Sequence, residues 1–226
     1  MDKIKDAIAI YAANFVLFSL IVLSIRFPAN ILNEVIVSNL PKTTNELLQA
    51  ANEVRIASLI SAILDPIYIG AIVYCVWQIK RGGAFNYTNA MSVGLQNWGK
   101  LFTVNLVVGI FIVLGTIAFI IPGIMLAVRY SLTTSIVIVE GYGNSSVVLK
   151  RSANLTTGKR WQIFSISCVL IILLLIMSII IGIPFVFSNS IISNVISASI
   201  VDLIIPIFAI VLFLYYWQAQ QEEKIA

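Results

Sequence analysis

The chain has 226 residues, 60% hydrophobic and 11% charged, with a mean hydropathy of +1.01; soluble domains use roughly 45 to 50% apolar residues, so a water-soluble core is excluded. The net charge of +4 sits in short basic pairs beside apolar runs rather than on a basic domain, which points to membrane topology and against a nucleic-acid partner. Histidine is absent and the two cysteines, Cys75 and Cys168, lie inside apolar stretches, so no disulfide framework, metal, cofactor or catalytic residue is expected.

A bilayer-spanning helix needs roughly 20 apolar residues. Runs at 7–25, 56–77, 101–121, 124–139, 161–187 and 197–217 meet or approach that length, which predicts a single domain over 1–226, an all-α polytopic membrane bundle of about six transmembrane helices. Lys3 and Lys5 imitate the start of a signal peptide, but the run after them is span-length and no small-x-small cleavage site follows. It is expected to be a retained first helix. Residues 26–55 then read as an outer loop, carrying Arg26, Lys42 and Arg55 beside Glu34, Glu46 and Glu53. Within it, Thr43-Thr44-Asn45-Glu46 has a capping-box pattern, so a helix is expected to start near Asn45 and run into the second span.

Between the second and third spans, residues 87–99 place Tyr87, Met91, Leu95 and Trp98 on one helical face and Asn89, Ser92, Gln96 and Lys100 on another, the pattern of a helix lying in the membrane surface. Pro122-Gly123 splits the apolar stretch from 101 to 139 and is expected to turn a hairpin. Residues 145–157 predict a second interfacial helix, with Val148 and Leu155 opposite Lys150, Arg151 and Asn154, and with Gly158 placed to end it. Gly141-Tyr142-Gly143 lacks a preceding strand and reads as a turn, not a phosphate loop. A short repetition links Pro66-Ile67-Tyr68 before Trp77-Gln78 with Pro206-Ile207-Phe208 before Trp217-Gln218.

In this arrangement Lys3, Lys5, Lys80, Arg81, Lys100, Lys150, Arg151, Lys159, Arg160 and Lys224 share one face of the membrane. The positive-inside rule assigns that face, and both termini, to the cytoplasm. Trp77, Trp98, Trp161 and Trp217 map to the same boundary, where amphipathic rings prefer to sit.

The stretch Ile121-Pro122-Gly123, Arg129-Tyr130, Glu140-Gly141, Leu149-Lys150-Arg151-Ser152, Leu155-Thr156 and Gly158-Lys159-Arg160-Trp161, joined less specifically by Pro66, Gly70 and Arg81-Gly82-Gly83, resembles a prokaryotic membrane family. Its members are the membrane domains associated with glycerophosphoryl diester phosphodiesterases and their stand-alone YciC-like relatives. The resemblance implies a multi-pass bundle in the plasma membrane of a bacterium or archaeon. It does not imply phosphodiesterase activity, which belongs to a separate soluble barrel with histidine and carboxylate residues.

Asp65, Arg129 and Asp202 are the charged residues well inside the predicted spans. Each costs roughly 2.5 to 3.5 kcal/mol near a helix centre, so each should face the bundle interior and find a partner. They are expected to meet in one cluster, either as a structural tie or as part of a ligand pathway, with carbonyls freed by Pro66 and Pro206 close by. Lys80, Arg81, Lys150, Arg151, Lys159 and Arg160 are candidate contacts for anionic lipid headgroups, set against plain positive-inside topology. The functional expectation is a non-enzymatic membrane protein that organises lipids or partner proteins at the inner leaflet; the alternative is a small transporter or permease using the intramembrane Asp/Arg cluster.

Overall fold

A computed structural model describes residues 2–41, 45–185 and 190–225, and among these every regular element is a helix. Six of the helical stretches are long and apolar enough to cross a membrane: Phe15–Ser38, Leu47–Arg81, Trp98–Ala118, Ile120–Glu140, Arg160–Gly182 and Ile191–Ile225. Hydrocarbon offers the backbone no hydrogen-bond partners, so apolar segments of this length satisfy their N–H and C=O groups within a helix. The chain is thus an all-α multi-pass membrane bundle.

The first two helices, α1 (Asp2–Ala13) and α2 (Phe15–Ser38), are separated only by a break at Asn14. Here the structure departs from the sequence reading: α2 runs through Arg26, Pro28 and Asn30 to Ser38, so the first part of the expected loop 26–55 is helix. Proline at position 28 did not end it. Helix α3 (Glu46–Arg81) starts where expected, with Asn45 Oδ1 accepting from Leu48 N at 3.2 Å. Residues 42–44, including Thr43 and Thr44 of the capping-box pattern, lie outside the described residues. At 36 residues, α3 is about 54 Å long at 1.5 Å per residue, well beyond a ~30 Å hydrocarbon layer.

Helix α4 (Tyr87–Gln96) begins at Asn86, whose Oδ1 accepts from Asn89 N at 2.8 Å. It folds back against α3 on its small residues: Ala90 is fully buried, and a side chain at Gly94 would strike the carbonyl oxygen of Ile67 and come within 3.3 Å of Ala71 N. Of the apolar stripe read from the sequence, Tyr87, Leu95 and Trp98 are exposed and Met91 packs against the core. Helices α5 (Trp98–Ala118) and α6 (Ile120–Arg129) form an antiparallel hairpin, but its turn is Phe119, in extended conformation. Pro122 instead occupies the first turn of α6, where its missing N–H is no loss. Gly123 serves packing, since a Cβ there would lie 2.9 Å from Thr116 N across the hairpin.

The fourth span bends at residues 130–132 before α7 (Thr133–Glu140). Helix α8 (Ser145–Leu155) repairs the bend: Ser152 Oγ and Thr156 Oγ1 donate to the Arg129 carbonyl at 2.9 and 3.3 Å. Gly158, at φ 80°, turns the chain after α8, as expected, in a left-handed conformation that costs glycine little. Helix α9 (Arg160–Gly182) gives way to a single 3-10 turn, Ile183–Phe185; the expected end of this span at 186–187 lies outside the described residues. The sixth span is α10 (Ile191–Asp202) followed by α11 (Ile205–Ile225), and Tyr11 Oη donates to the Leu203 carbonyl at the break, 2.6 Å away.

The core lies where α2, α3, α7 and α11 meet, through Phe18 and Ile21, Tyr68 and Ile72, Leu132 and Ile136, and Ile210, Phe213 and Tyr216. In contrast α5 and α9 leave Ile110, Leu114, Ile117, Ile172, Ile176 and Ile179 exposed, as a lipid-facing surface requires.

Candidate functional site

Three helices each supply a pair of polar residues one turn apart: Arg26 and Asn30 from α2, Ser61 and Asp65 from α3, Ser199 and Asp202 from α10. Spacings of three or four residues put each pair on one helical face, and the three faces converge. Arg26 Nη1 donates to Ser61 Oγ at 2.7 Å and to Asp65 Oδ1 at 3.1 Å, while its Nη2 donates to Asp202 Oδ1 at 2.9 Å. Asn30 Nδ2 donates to Asp202 Oδ2 at 2.8 Å and to Ser199 Oγ at 3.1 Å. One turn further along α2, Glu34 Oε1 accepts from Asn194 Nδ2 at 2.8 Å.

Burial makes this constellation costly unless it is well paired: the side chains of Arg26, Asp65 and Asp202 are 14%, 25% and 5% exposed. One guanidinium faces two carboxylates, so with both ionised the centre carries one uncompensated negative charge. Beside it, a groove of about 420 Å³ runs between α9 and α10, lined by Ser178, Gly182, Asn194, Ser197 and Asp202. Two further polar atoms in this region, Arg26 Nε and the Tyr68 hydroxyl, are buried without a hydrogen-bond partner among the described residues.

The sequence reading named Asp65 and Asp202 but gave the central cation as Arg129. The structure brings the two aspartates together around Arg26 instead. Arg129 is exposed at the end of α6, its guanidinium 5.7 Å from the Tyr130 ring centre, and only its carbonyl is held inside. Assigning Arg26 to a loop hid it from the count of intramembrane charges. The signal that locates it was nonetheless present, in the polar stripe Arg26, Asn30, Glu34 at helical spacing.

A second network ties the chain termini to the bundle. Arg151 Nε donates to Glu140 Oε2 at 3.1 Å, and its two Nη atoms donate to Glu223 Oε1 and Oε2 at 2.6 and 2.5 Å. Tyr216 Oη donates to Glu140 Oε1 at 3.0 Å, and Lys159 pairs with Glu222 at 2.5 Å. The hydrogen bonds to Glu223 are the main reason that Arg151 holds its proton even more tightly than an ordinary arginine. Lys3, with its ammonium 4.8 Å from the Tyr215 ring centre, is pushed the other way, below the ordinary lysine value, by burial and then by the charge of Lys159. Arg151 and Lys159 are therefore committed to carboxylates rather than free for lipid headgroups. Lys80, Arg81 and Lys150 stay exposed and Arg160 half-exposed, with Arg81 stacked 4.8 Å over Trp77.

Among the described residues no group of histidine, cysteine and carboxylate side chains is arranged to hold a metal ion. No family model, curated protein or solved structure matches this chain.

Proposed function

We propose that the chain is a small, non-enzymatic permease of a prokaryotic plasma membrane, with both termini in the cytoplasm, whose solute path passes the Arg26–Asp65–Asp202 centre. The observation that carries this reading is the charge imbalance, one half-buried cation against a half-buried and a buried carboxylate, beside a groove whose polar lining is Ser178, Asn194, Ser197 and Asp202. Such a centre attracts a positively charged solute, and charged side chains inside membrane bundles commonly mark substrate or ion pathways. The localisation rests on the distribution of lysine and arginine and on the resemblance to the YciC-like membrane family.

Liposomes containing the protein, loaded with radiolabelled putrescine or ethanolamine, test the reading. Flux above that of protein-free vesicles is expected, lost in Asp202→Asn and kept in Arg129→Ala. Equal leak from both kinds of vesicle for every small amine tried removes it.

Exposed Lys80, Arg81 and Lys150 favour a second role, contact with anionic headgroups, each basic residue contributing about 1 kcal/mol. Native mass spectrometry should then show retained acidic lipid that the triple alanine variant loses; identical lipid retention would count against it.

A further inference from the structure

The two aspartates differ in how fully they are satisfied. Asp202 accepts at both oxygens, from Arg26 Nη2 at 2.9 Å and Asn30 Nδ2 at 2.8 Å. Among the described residues Asp65 accepts at Oδ1 alone, from Arg26 Nη1 at 3.1 Å, and its side chain is 25% exposed against 5% for Asp202. Asp65 Oδ2 is therefore the carboxylate oxygen of the centre without a donor among the described residues. One turn along α3 from Asp65 lies Tyr68, 0% exposed, its hydroxyl unpartnered among the described residues. A buried hydroxyl left unsatisfied is costly, and it is relieved by an acid or cation beside it.

We propose that Asp65 is a proton-binding site, with Tyr68 as its hydrogen-bonding partner, and that its proton must leave before a cationic solute can occupy the centre. Loading transfers a proton from hydronium to Oδ2, forming the O–H bond and releasing water. Unloading returns the proton from Oδ2 to water, re-forming hydronium, leaves the electron pair on the carboxylate and restores the negative charge that the solute needs. Because the centre is short of one positive charge, it holds either the proton or the solute cation, and movement of one exchanges for the other. The charged groups acting on Asp65 are Arg26 from α2 and Asp202 from α10; among the described residues α4, α5, α7 and α11, which also pack on α3, supply none. The exchange rests on the permease reading above, while the proton site can be measured without any flux.

Infrared difference titration of the intact protein in nanodiscs tests it. A protonated-carboxyl component should grow in as pH falls that the difference spectrum of Asp65→Asn lacks and that of Glu140→Gln keeps. Tyr68→Phe, which removes only the hydroxyl, should move the midpoint by about one pH unit. Putrescine should lower the midpoint of the wild-type band, also by about one unit for each tenfold rise in concentration above its dissociation constant. A spectrum of Asp65→Asn that keeps this component, or no titrating band at all, overturns the proton site. A band present but indifferent to putrescine overturns the exchange, and the absence of amine flux in liposomes with the band intact removes the permease reading alone.

Discussion

Arg26 shows what one side chain costs and what offsets that cost. A guanidinium among lipid-facing helices is tolerated because Ser61, Asp65 and Asp202 accept its Nη hydrogens, and because Asn30 completes the shell of Asp202. Removing one partner of a buried pair is worse than removing the pair, since a bare charge remains. Arg26→Ala should therefore lower stability by about 3 to 5 kcal/mol, read as a fall in the thermal unfolding midpoint in detergent. Adding Asp65→Asn and Asp202→Asn to the same chain should recover part of the loss. Arg129→Ala should hardly move the midpoint, because that side chain is exposed and only its backbone carbonyl is bonded within the bundle; a large loss there would return Arg129 to the centre.

Helix α4 illustrates a limit of periodicity. Its apolar stripe was legible, yet the face that docks on α3 is the small one, Ala90 and Gly94, because close approach to the Ile67 carbonyl leaves no room for a Cβ. Gly94→Ala should cost about 1 to 3 kcal/mol by forcing α4 off α3, visible as quenching changes at Trp98, whose Nε1 donates to the Ile63 carbonyl at 2.7 Å. Unchanged Trp98 fluorescence in that variant would place α4 elsewhere. At the other end of the chain, Arg151 fixes α11 to α7 and α8 through Glu223 and Glu140. Arg151→Ala leaves half-buried Glu140 with Tyr216 alone and should cost about 2 kcal/mol, with faster amide exchange confined to the last turns of α11. Lysine at 151 should restore little, since it cannot donate to both Glu223 oxygens at once.

At the scale of the whole molecule, six helical stretches are long and apolar enough to cross a membrane, and near the C-terminal end of α11 Glu222 and Glu223 pair with Lys159 and Arg151. Thiol-reactive probes that do not cross membranes should label a cysteine placed at Asn39 from outside intact cells, and one placed at Lys150 only after lysis; the reverse pattern would invert the topology. Composition and apolar run length were enough to determine the all-helical, multi-pass class, because hydrocarbon forces any segment of that length to satisfy its own backbone. Which arginine stands between Asp65 and Asp202, where the α5–α6 hairpin turns, and which face of α4 meets α3 were settled only by tertiary packing. The first of those choices depends on contact between residues far apart in the chain, 176 positions for Arg26 and Asp202, and local periodicity carries no information about such separations.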